Sequence, residues 1–255
     1  MTTIDLNADC GESFGPWVMG HDEAILDIVT SANIACGFHA GDPDVMAKTM
    51  AMAAERGVGI GCHPGFDDLR GFGRRQIAMP RESLCNMIRY QLGASLSMAR
   101  AAGAPVRHLK LHGALSNMIT NDRETARALY EAALGIDPDL VIMVLAGTPM
   151  EAAARDLGCA VACEIFADRA YADDASLISR SQSAAIIHDA GLAARRIVGM
   201  VRAGAIIAES GKRIETQIDT VCVHGDTAGA VDIARAVRAA LEDAGIGVRR
   251  FAGRD

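Results

Sequence analysis

The sequence has no apolar run of about 18 residues, which is the length that a membrane-spanning helix needs. Its start shows no charged segment followed by an apolar one, so a signal peptide is not expected. Basic residues are not in excess either, because the formal net charge is −7 and no long basic run occurs. These absences argue against membrane and nucleic-acid partners and predict a cytoplasmic protein.

Two nucleotide-binding motifs are also missing. Gly57, Gly59 and Gly61 are two apart, but no helix with a third glycine follows, so the dinucleotide fingerprint fails. Gly211 and Lys212 lack the earlier glycine and the following Ser or Thr of a phosphate-binding loop. The sequence therefore contains neither of these phosphate-binding signatures.

The cysteine pattern excludes two further classes of protein. Seven is an odd number, and the spacing matches neither a zinc ribbon nor a disulfide scaffold. The cysteines are therefore interpreted as small buried residues of a reducing compartment. The alternative is a nucleophilic cysteine, for which Cys10 and Cys36 are the candidates.

What the sequence does contain is one pattern repeated four times. An apolar stretch that predicts a strand runs into a histidine, and glycine follows within two residues. The four histidines are His39, His63, His112 and His224. In a parallel β/α barrel the carboxyl ends of the strands form the active-site face, so these four side chains are expected in one pocket.

Length and periodicity favour the same fold. The chain has 255 residues, of which half are hydrophobic, and predicted strands alternate with predicted helices. Residues 140–145 are all apolar, which is typical of a parallel strand buried on both faces. Seven strands are clear, residues 183–203 are predicted to be helical, and 202–214 are ambiguous. We therefore predict an α/β protein, with residues 1–255 forming a single β/α barrel that is seven-stranded and distorted.

Polar residues occur on the inward faces of two predicted strands. Asn7 and Asp9 are two apart in the first strand, and Lys110 and His112 are two apart in the fourth. Such spacing places each pair on one face of an extended chain. A lysine inside a barrel is costly unless it is paired, so Lys110 is predicted to be functional. A buried hydrogen-bond network is the alternative for Asn7.

Two polar loops are expected at the barrel mouth, near residues 64–75 and 166–180. Both are predicted to act as substrate lids. Arg74 or Arg75 in the first loop could hold a carboxylate bidentately, and Arg169 lies in the second. Solvated charge or a protein interface is the alternative interpretation of Arg74 and Arg75.

These motifs together resemble the LamB/YcsF family, and the resemblance covers nearly the whole chain. They are residues 5–12 (DLNADCGE), 32–43 (ANIACGFHAGDP), 63–75 (HPGFDDLRGFGRR), 110–115 (KLHGAL), 166–169 (FADR) and 224–226 (HGD). The family is similar in fold to the glycoside hydrolase/deacetylase superfamily, whose members are seven-stranded β/α barrels. The resemblance thus implies the barrel that the strand count predicts.

The resemblance also implies a reaction, because members of the family form the A subunit of a prokaryotic ATP-dependent 5-oxoprolinase. In that reaction 5-oxo-L-proline, ATP and water give L-glutamate, ADP and phosphate. Two partner subunits, B and C, are expected to be needed, with Mg²⁺ accompanying the nucleotide.

A lactam is a stable amide, so its carbonyl oxygen has to be activated before water attacks. Such chemistry needs an oxyanion stabiliser, a base and a carboxylate clamp. We assign Lys110 as stabiliser, Asp9 or His63 as base, and an arginine of the first loop as clamp. The expected catalytic residues are Asp9, His63, Lys110 and His112. The expected substrate-binding residues are Asn7, Glu12, His39, Arg74, Arg75, Glu164, Arg169 and His224.

Two other functions fit the same residues. One is a metal-dependent hydrolase of the sugar deacetylase type, because carboxylate and imidazole groups are common ligands of divalent ions. Its ligands would come from Asp9, His39, His63, His112 and His224. The other is a non-catalytic subunit that binds the substrate and passes it to its partners.

Overall fold

Strands and helices alternate around a closed parallel barrel in this computed structural model, which describes residues 2–183, 185–223 and 229–253. The strands are β1 (Thr3–Cys10), β2 (Ser31–Ala35), β3 (Gly59–His63), β4 (Val106–Lys110), β5 (Val141–Leu145), β6 (Val161–Phe166), β7 (Ala205–Ile207), β8 (Arg213–Glu215), β9 (Thr220–Val223) and β10 (Gly247–Val248). The helices are α1 (Asp22–Leu26), α2 (Pro43–Glu55), α3 (Arg81–Ala101), α4 (Gly113–Ile119), α5 (Arg123–Leu134), α6 (Pro149–Arg155), α7 (Ala190–Ala203) and α8 (Ala230–Asp243).

Seven of these strands form the barrel, which confirms the predicted fold. Strands β1 to β6 pair in chain order, and β9 lies between β6 and β1. Thr220 of β9 is in register with Glu164 on one side and with Asp5 on the other. All pairs within the barrel are parallel, so the carboxyl ends of all seven strands open on one face. Strand β10 extends the other end of β1, and β7 pairs with β8 as a separate antiparallel hairpin.

The apolar core lies between the strands and the surrounding helices. Outward-facing side chains such as Leu6, Ile34, Ile60, Ile142 and Ile165 are buried there. Alternate residues of the same strands face inward, as the two-residue period of a strand requires. Burying these branched side chains on the outside leaves the inside of the barrel for polar groups. Among the described residues, no helix combines the length and apolarity required to cross a bilayer.

Side-chain caps mark the start of three of the helices given above, α2, α5 and α7. Asp42 caps α2 by accepting hydrogen bonds from the backbone N–H groups of Asp44 and Val45, with Pro43 in the first turn. The predicted helix over 183–203 was wrong in its first part, because α7 begins only after Asp189. That side chain accepts from the N–H of Leu192 and starts the helix there.

The segment before α7 is held instead by the second of the two predicted polar loops, residues 166–180, which we call the second rim loop; residues 64–75 are the first rim loop. The N–H of Ala170 donates to the carbonyl of Ala185, and the N–H of Ile187 donates to that of Asp168.

Helix α4, which follows His112 directly, was not predicted. Its first residue, Gly113, has a φ of 51°, and a side chain there would approach the carbonyl oxygen of Gly73 to 2.9 Å.

A chain of hydrogen bonds runs through the barrel interior. His108 Nε2 donates to Asn33 Oδ1 at 2.7 Å, and Asn33 Nδ2 donates to Asn7 Oδ1 at 2.7 Å. Asn7 Nδ2 then donates to Thr220 Oγ1 at 2.7 Å, and this hydroxyl donates to Asp5. All five residues are buried, so each bond replaces water that the side chain loses on folding. Asn7 is therefore part of a buried hydrogen-bond network, which was the alternative interpretation of this residue.

The C-terminal segment closes the barrel at the end opposite the carboxyl ends of the strands. The ring of Phe251 packs edge-on against His108, with 5.4 Å between ring centroids, and contacts the inward cluster of Val141, Met143 and Ala162. Gly61 lies opposite His108, where an added Cβ would come within 2.0 Å of the imidazole. Glycine is thus needed in β3 so that the His108 ring can reach Asn33.

The barrel floor generates a pH-dependent prediction for Asp5. Burial raises the pKa of this carboxyl to about 6, although hydroxyl donors from Thr220, Thr30 and Ser31 lower it. Because the folded-state pKa lies above the ordinary 3.8, stability is lost as the pH rises through about 6. Two pKa units correspond to about 3 kcal/mol.

We expect Asp5→Asn to remove this pH dependence. The free energy of unfolding of the wild type, minus that of the variant, should fall by about 3 kcal/mol between about pH 4 and pH 7. Urea unfolding of both proteins at the two pH values measures this difference. A difference that stays constant with pH would contradict the prediction.

Candidate active site

Lys110 is the centre of the polar cluster at the carboxyl ends of the strands. Its Nζ lies 2.9 Å from Asp9 Oδ1 and 2.8 Å from Glu164 Oε1, so β1, β4 and β6 meet at one ammonium group. Each of the three side chains is buried. The Phe166 ring centroid is 5.1 Å from Nζ and adds a cation–π contact.

The charge state of this cluster follows from its contacts. Burial lowers the pKa of Lys110, but the negative charges of Asp9 and Glu164 outweigh burial and raise it well above the ordinary value. Cys222 Sγ lies 3.1 Å from Nζ, and burial raises the pKa of its thiol well above the ordinary value. Lys110 is therefore a permanent cation that contacts two carboxylates and a neutral thiol.

His63 and His112 form the second part of the site. His63 Nδ1 donates to the carbonyl oxygen of Lys110 at 2.7 Å, and His112 Nε2 donates to that of Phe72 at 2.8 Å. Carbonyl oxygens only accept, so the two bonds fix both tautomers. The remaining nitrogens, His63 Nε2 and His112 Nδ1, face each other at 3.1 Å. Asp9 Oδ2 lies 3.4 Å from His63 Nε2, which joins the pair to the lysine cluster.

Glu12 and His39 lie behind this pair. Glu12 Oε1 is 3.6 Å from His39 Nε2 and 3.8 Å from His112 Nδ1. The His39 ring stacks on that of His112, with 3.7 Å between centroids and 6° between planes. Burial lowers the pKa of His112 to about 3 and that of His39 well below its ordinary value, so both rings are neutral.

The first rim loop holds these imidazoles in place. Gly73 has a φ of 60°, and an added Cβ would come within 2.7 Å of His39 and 2.8 Å of His112. Its carbonyl oxygen also accepts from the N–H of Ala114 at 2.9 Å. The loop is therefore packed against the histidines through a position that only glycine fits well.

A cavity of about 600 Å³ opens above the cluster. Its floor includes Asp9, His63, Lys110, His112 and Glu164, and its rim includes Arg74, Arg169 and Arg180. The Arg74 guanidinium lies over the Phe72 ring at 4.8 Å. An apolar wall from Leu145, Met150 and Leu177 completes it. This combination suits a small ligand that carries both a carboxylate and a polar carbonyl group.

The second rim loop forms one side of this cavity. Arg169 donates from Nη2 to the carbonyl oxygen of Ile178 at 2.6 Å and from Nε to that of Ala185 at 3.3 Å. Burial, followed by the charge of Arg180, lowers the pKa of Arg169 to about 10, so it stays charged at neutral pH. Arg169 thus shapes the loop and brings a positive charge to the cavity.

Most of the residues predicted from sequence meet at this site, but four do not border the cavity. Arg75 pairs with Asp68 instead, and its side chain is 67% exposed. Asn7 belongs to the barrel interior, and Glu12 and His39 lie behind the His63–His112 pair. The prediction for His224 and the motif 224–226 falls outside the described residues. Cys10 and Cys36 are buried on the core side, where Cys36 contacts Ser95 and Cys62.

Some contributors were missed. Cys222 contacts Lys110, and the two-residue period from Thr220 could have identified it as inward-facing. Gln76 and Asn117 line the cavity from irregular or unpredicted segments. The Phe72 carbonyl orients His112, but a backbone contact of this kind carries no side-chain signal in the sequence.

A closed parallel barrel with ionisable side chains gathered at the carboxyl ends of its strands defines a β/α-barrel protein of the enzyme type. The chain belongs to the LamB/YcsF family, which it matches over residues 4–255, and this confirms the predicted family.

Named relatives extend over the same length. The 5-oxoprolinase A subunit of Ruegeria pomeroyi is 64% identical over 251 residues, covering 98% of this chain and 99% of that protein. The protein of the same name from Nitrobacter hamburgensis is 53% identical over 250 residues, covering 98% of each. The crystal structure of the lactam utilization protein from Thermus thermophilus superposes with a TM-score of 0.92 at 44% identity, covering 98% of this chain and 100% of that one.

The lysine cluster generates a prediction about stability. Lys110→Met leaves Asp9 and Glu164 buried without the cation between them, which should lower the free energy of unfolding by about 3–5 kcal/mol. Adding Glu164→Gln removes one of the two charges and should recover part of the loss. Chemical denaturation of the single and double variants measures both effects.

The control is Arg81→Met, which removes the cation of the exposed Arg81–Glu124 pair. It should change the free energy of unfolding by less than about 1 kcal/mol. Equal, small effects of Lys110→Met and Arg81→Met would show that the buried cluster does not balance charge as described.

Proposed function

We propose that this chain is the lactam-binding subunit of a 5-oxoprolinase and that the cavity above Lys110 holds 5-oxo-L-proline during ATP-dependent ring opening. The observation that carries the proposal is the placement of a buried ammonium group, a carboxylate and an arginine around one small cavity. The names of the 64% and 53% identical relatives support it.

The overall reaction converts 5-oxo-L-proline, ATP and two waters into L-glutamate, ADP and phosphate. Transfer of the γ-phosphoryl group to the lactam oxygen turns a poor electrophile into a reactive one. One water then adds to the ring carbon, and breakage of the carbon–nitrogen bond releases the amine and leaves an acyl phosphate. A second water releases phosphate, and ATP enters with Mg²⁺ as its counter-ion.

Lys110 is proposed to stabilise the charge on the lactam oxygen. Its Nζ donates to Asp9 Oδ1, forms an ion pair with Glu164 Oε1, and also donates to the neutral Cys222 thiol, which is a weak acceptor. A lactam oxygen is a better partner and can replace the thiol. The two carboxylates keep the ammonium fixed, so little reorganisation is needed as charge develops.

Asp9 is proposed as the base that accepts a proton from the attacking water. It borders the cavity, and its Oδ1 is held by Lys110 Nζ and by Asn33 Nδ2 at 2.9 Å. These bonds leave Oδ2 directed towards His63. A base oriented in this way can take the proton at one defined oxygen.

Arg74 is proposed as the clamp for the substrate carboxylate. It lies on the rim of the cavity with its guanidinium over Phe72, whereas Arg75 turns away to Asp68. A guanidinium group matches the geometry of a carboxylate and forms two hydrogen bonds with it. The two adjacent arginines therefore provide a matched test of this assignment.

The test of the proposed function is glutamate formation from 5-oxo-L-proline by the full chain mixed with two partner subunits, B and C. We expect turnover only when the three proteins, ATP and Mg²⁺ are all present. Absence of turnover in the full mixture would contradict the proposal, and so would unchanged turnover when this chain is left out.

The clamp generates a prediction in the same assay. Arg74→Met should raise the KM for 5-oxoproline about 10-fold or more, because a charge-assisted contact to the carboxylate is lost in both ground and transition states. Arg75→Met should change KM less than about 3-fold, because its partner is Asp68. Equal effects of the two substitutions would remove Arg74 from the clamp role.

A further inference from the structure

We propose that His63, His112 and Glu12 bind one divalent transition-metal ion at the barrel mouth. The inference deepens the proposed function, on which it rests for the identity of the substrate but not for the binding of the ion. It arises from a close contact between two imidazole nitrogens at the barrel mouth.

That contact is the 3.1 Å separation between His63 Nε2 and His112 Nδ1. Each ring donates its N–H to a backbone carbonyl, His63 to Lys110 and His112 to Phe72. When both rings are neutral, the two facing nitrogens carry lone pairs, which repel each other at this distance unless a cation lies beside them. Backbone carbonyls that fix the tautomers of two imidazoles are typical supports of metal-binding histidines.

Two carboxylates lie beside the facing nitrogens of His63 and His112. Glu12 Oε1 lies 3.8 Å from His112 Nδ1, and Asp9 Oδ2 lies 3.4 Å from His63 Nε2. Ligand atoms bonded to one ion at about 2.0–2.2 Å lie roughly 3–4 Å apart, so the Glu12–His112 separation fits a shared ion and Asp9 lies beside it. Glu12, His39, His63 and His112 form a group whose ligand atoms all lie within 4.8 Å of one another.

His39 is assigned a supporting position in this group. Its ring is nearly parallel to that of His112, so an ion in the plane of one ring lies out of the plane of the other. It is fully buried, and within the described part of the chain neither ring nitrogen has a hydrogen-bond partner. Its Nε2 lies 3.6 Å from Glu12 Oε1, where the ring confines that carboxylate against the His63–His112 pair.

The donor set selects the type of ion. Two imidazoles and one carboxylate favour Zn²⁺ or another first-row transition ion over Mg²⁺ or Ca²⁺, which prefer oxygen ligands. Three protein ligands leave a position open to the cavity, as in catalytic zinc sites. An ion bound there would supply Lewis acidity and a water of lowered pKa, with Asp9 placed to receive its proton.

The test measures binding without substrate or partner subunits. The full, tag-free chain is stripped with a chelator and titrated with Zn²⁺ by calorimetry and with Co²⁺ by visible absorption. We expect one ion per chain, a Co²⁺ spectrum of low coordination number, and a Zn²⁺-dependent rise in the unfolding temperature.

His63→Gln and Glu12→Gln should each weaken binding by at least about 100-fold and abolish the rise in unfolding temperature. His188→Gln, at a histidine outside the site, is the control and should bind as the wild type does. Circular dichroism establishes that the variants are folded. Each of the two site variants is a separate test of the proposed ligands.

Three results would overturn the inference: no binding by the wild type, full binding by both site variants, or equal weakening by His188→Gln. A proton shared between the two imidazoles, in place of an ion, predicts the first of these. If the ion binds but the assembled proteins form no glutamate, the proposed function fails and the metal site stands. If the assembled proteins form glutamate although the chain binds no ion, the metal site fails and the proposed function stands.

Discussion

The buried contact of Lys110 with Asp9 and Glu164 is the constraint on which the rest of the site depends. Three strands meet at this ammonium group, and none of the three side chains could be buried alone without a cost of several kcal/mol. Asp9 is in turn hydrogen-bonded by Asn33, which connects the cluster to the network below it. The geometry of the candidate site and the polar interior of the barrel are therefore parts of one structure.

The imidazoles depend on a second constraint, which is the close packing of the first rim loop. Gly73 fits against His39 and His112 at a positive φ, and the carbonyl of Phe72 orients the His112 ring. The loop predicted as a lid is thus also a structural support for the metal-binding group proposed here. A substitution at Gly73 would displace the histidines, because even a methyl group there would overlap both side chains.

Sequence patterns predicted the barrel and much of the site because both follow from short-range periodicity. Parallel strands that each end in a histidine bring His63 and His112 together, and the two-residue period placed Asp9 and Lys110 inside. Side-chain directions in irregular segments were not predictable in this way. Arg74 and Arg75 look equivalent in sequence, and only the fold of their loop directs one to the cavity and the other to Asp68. Likewise, α7 begins late because residues 185–187 pair with the second rim loop, a contact between distant parts of the chain.

The central claim is that the Lys110 cluster performs chemistry and does more than hold the barrel together. The direct measurement is glutamate formation per folded molecule by Lys110→Met in the assembled enzyme, with the folded fraction determined on the same sample. We predict a fall of about 10²-fold or more, since the substitution keeps the volume but removes the charge that is proposed to face the lactam oxygen. Near-normal turnover per folded molecule, in a variant that only unfolds more easily, would contradict it.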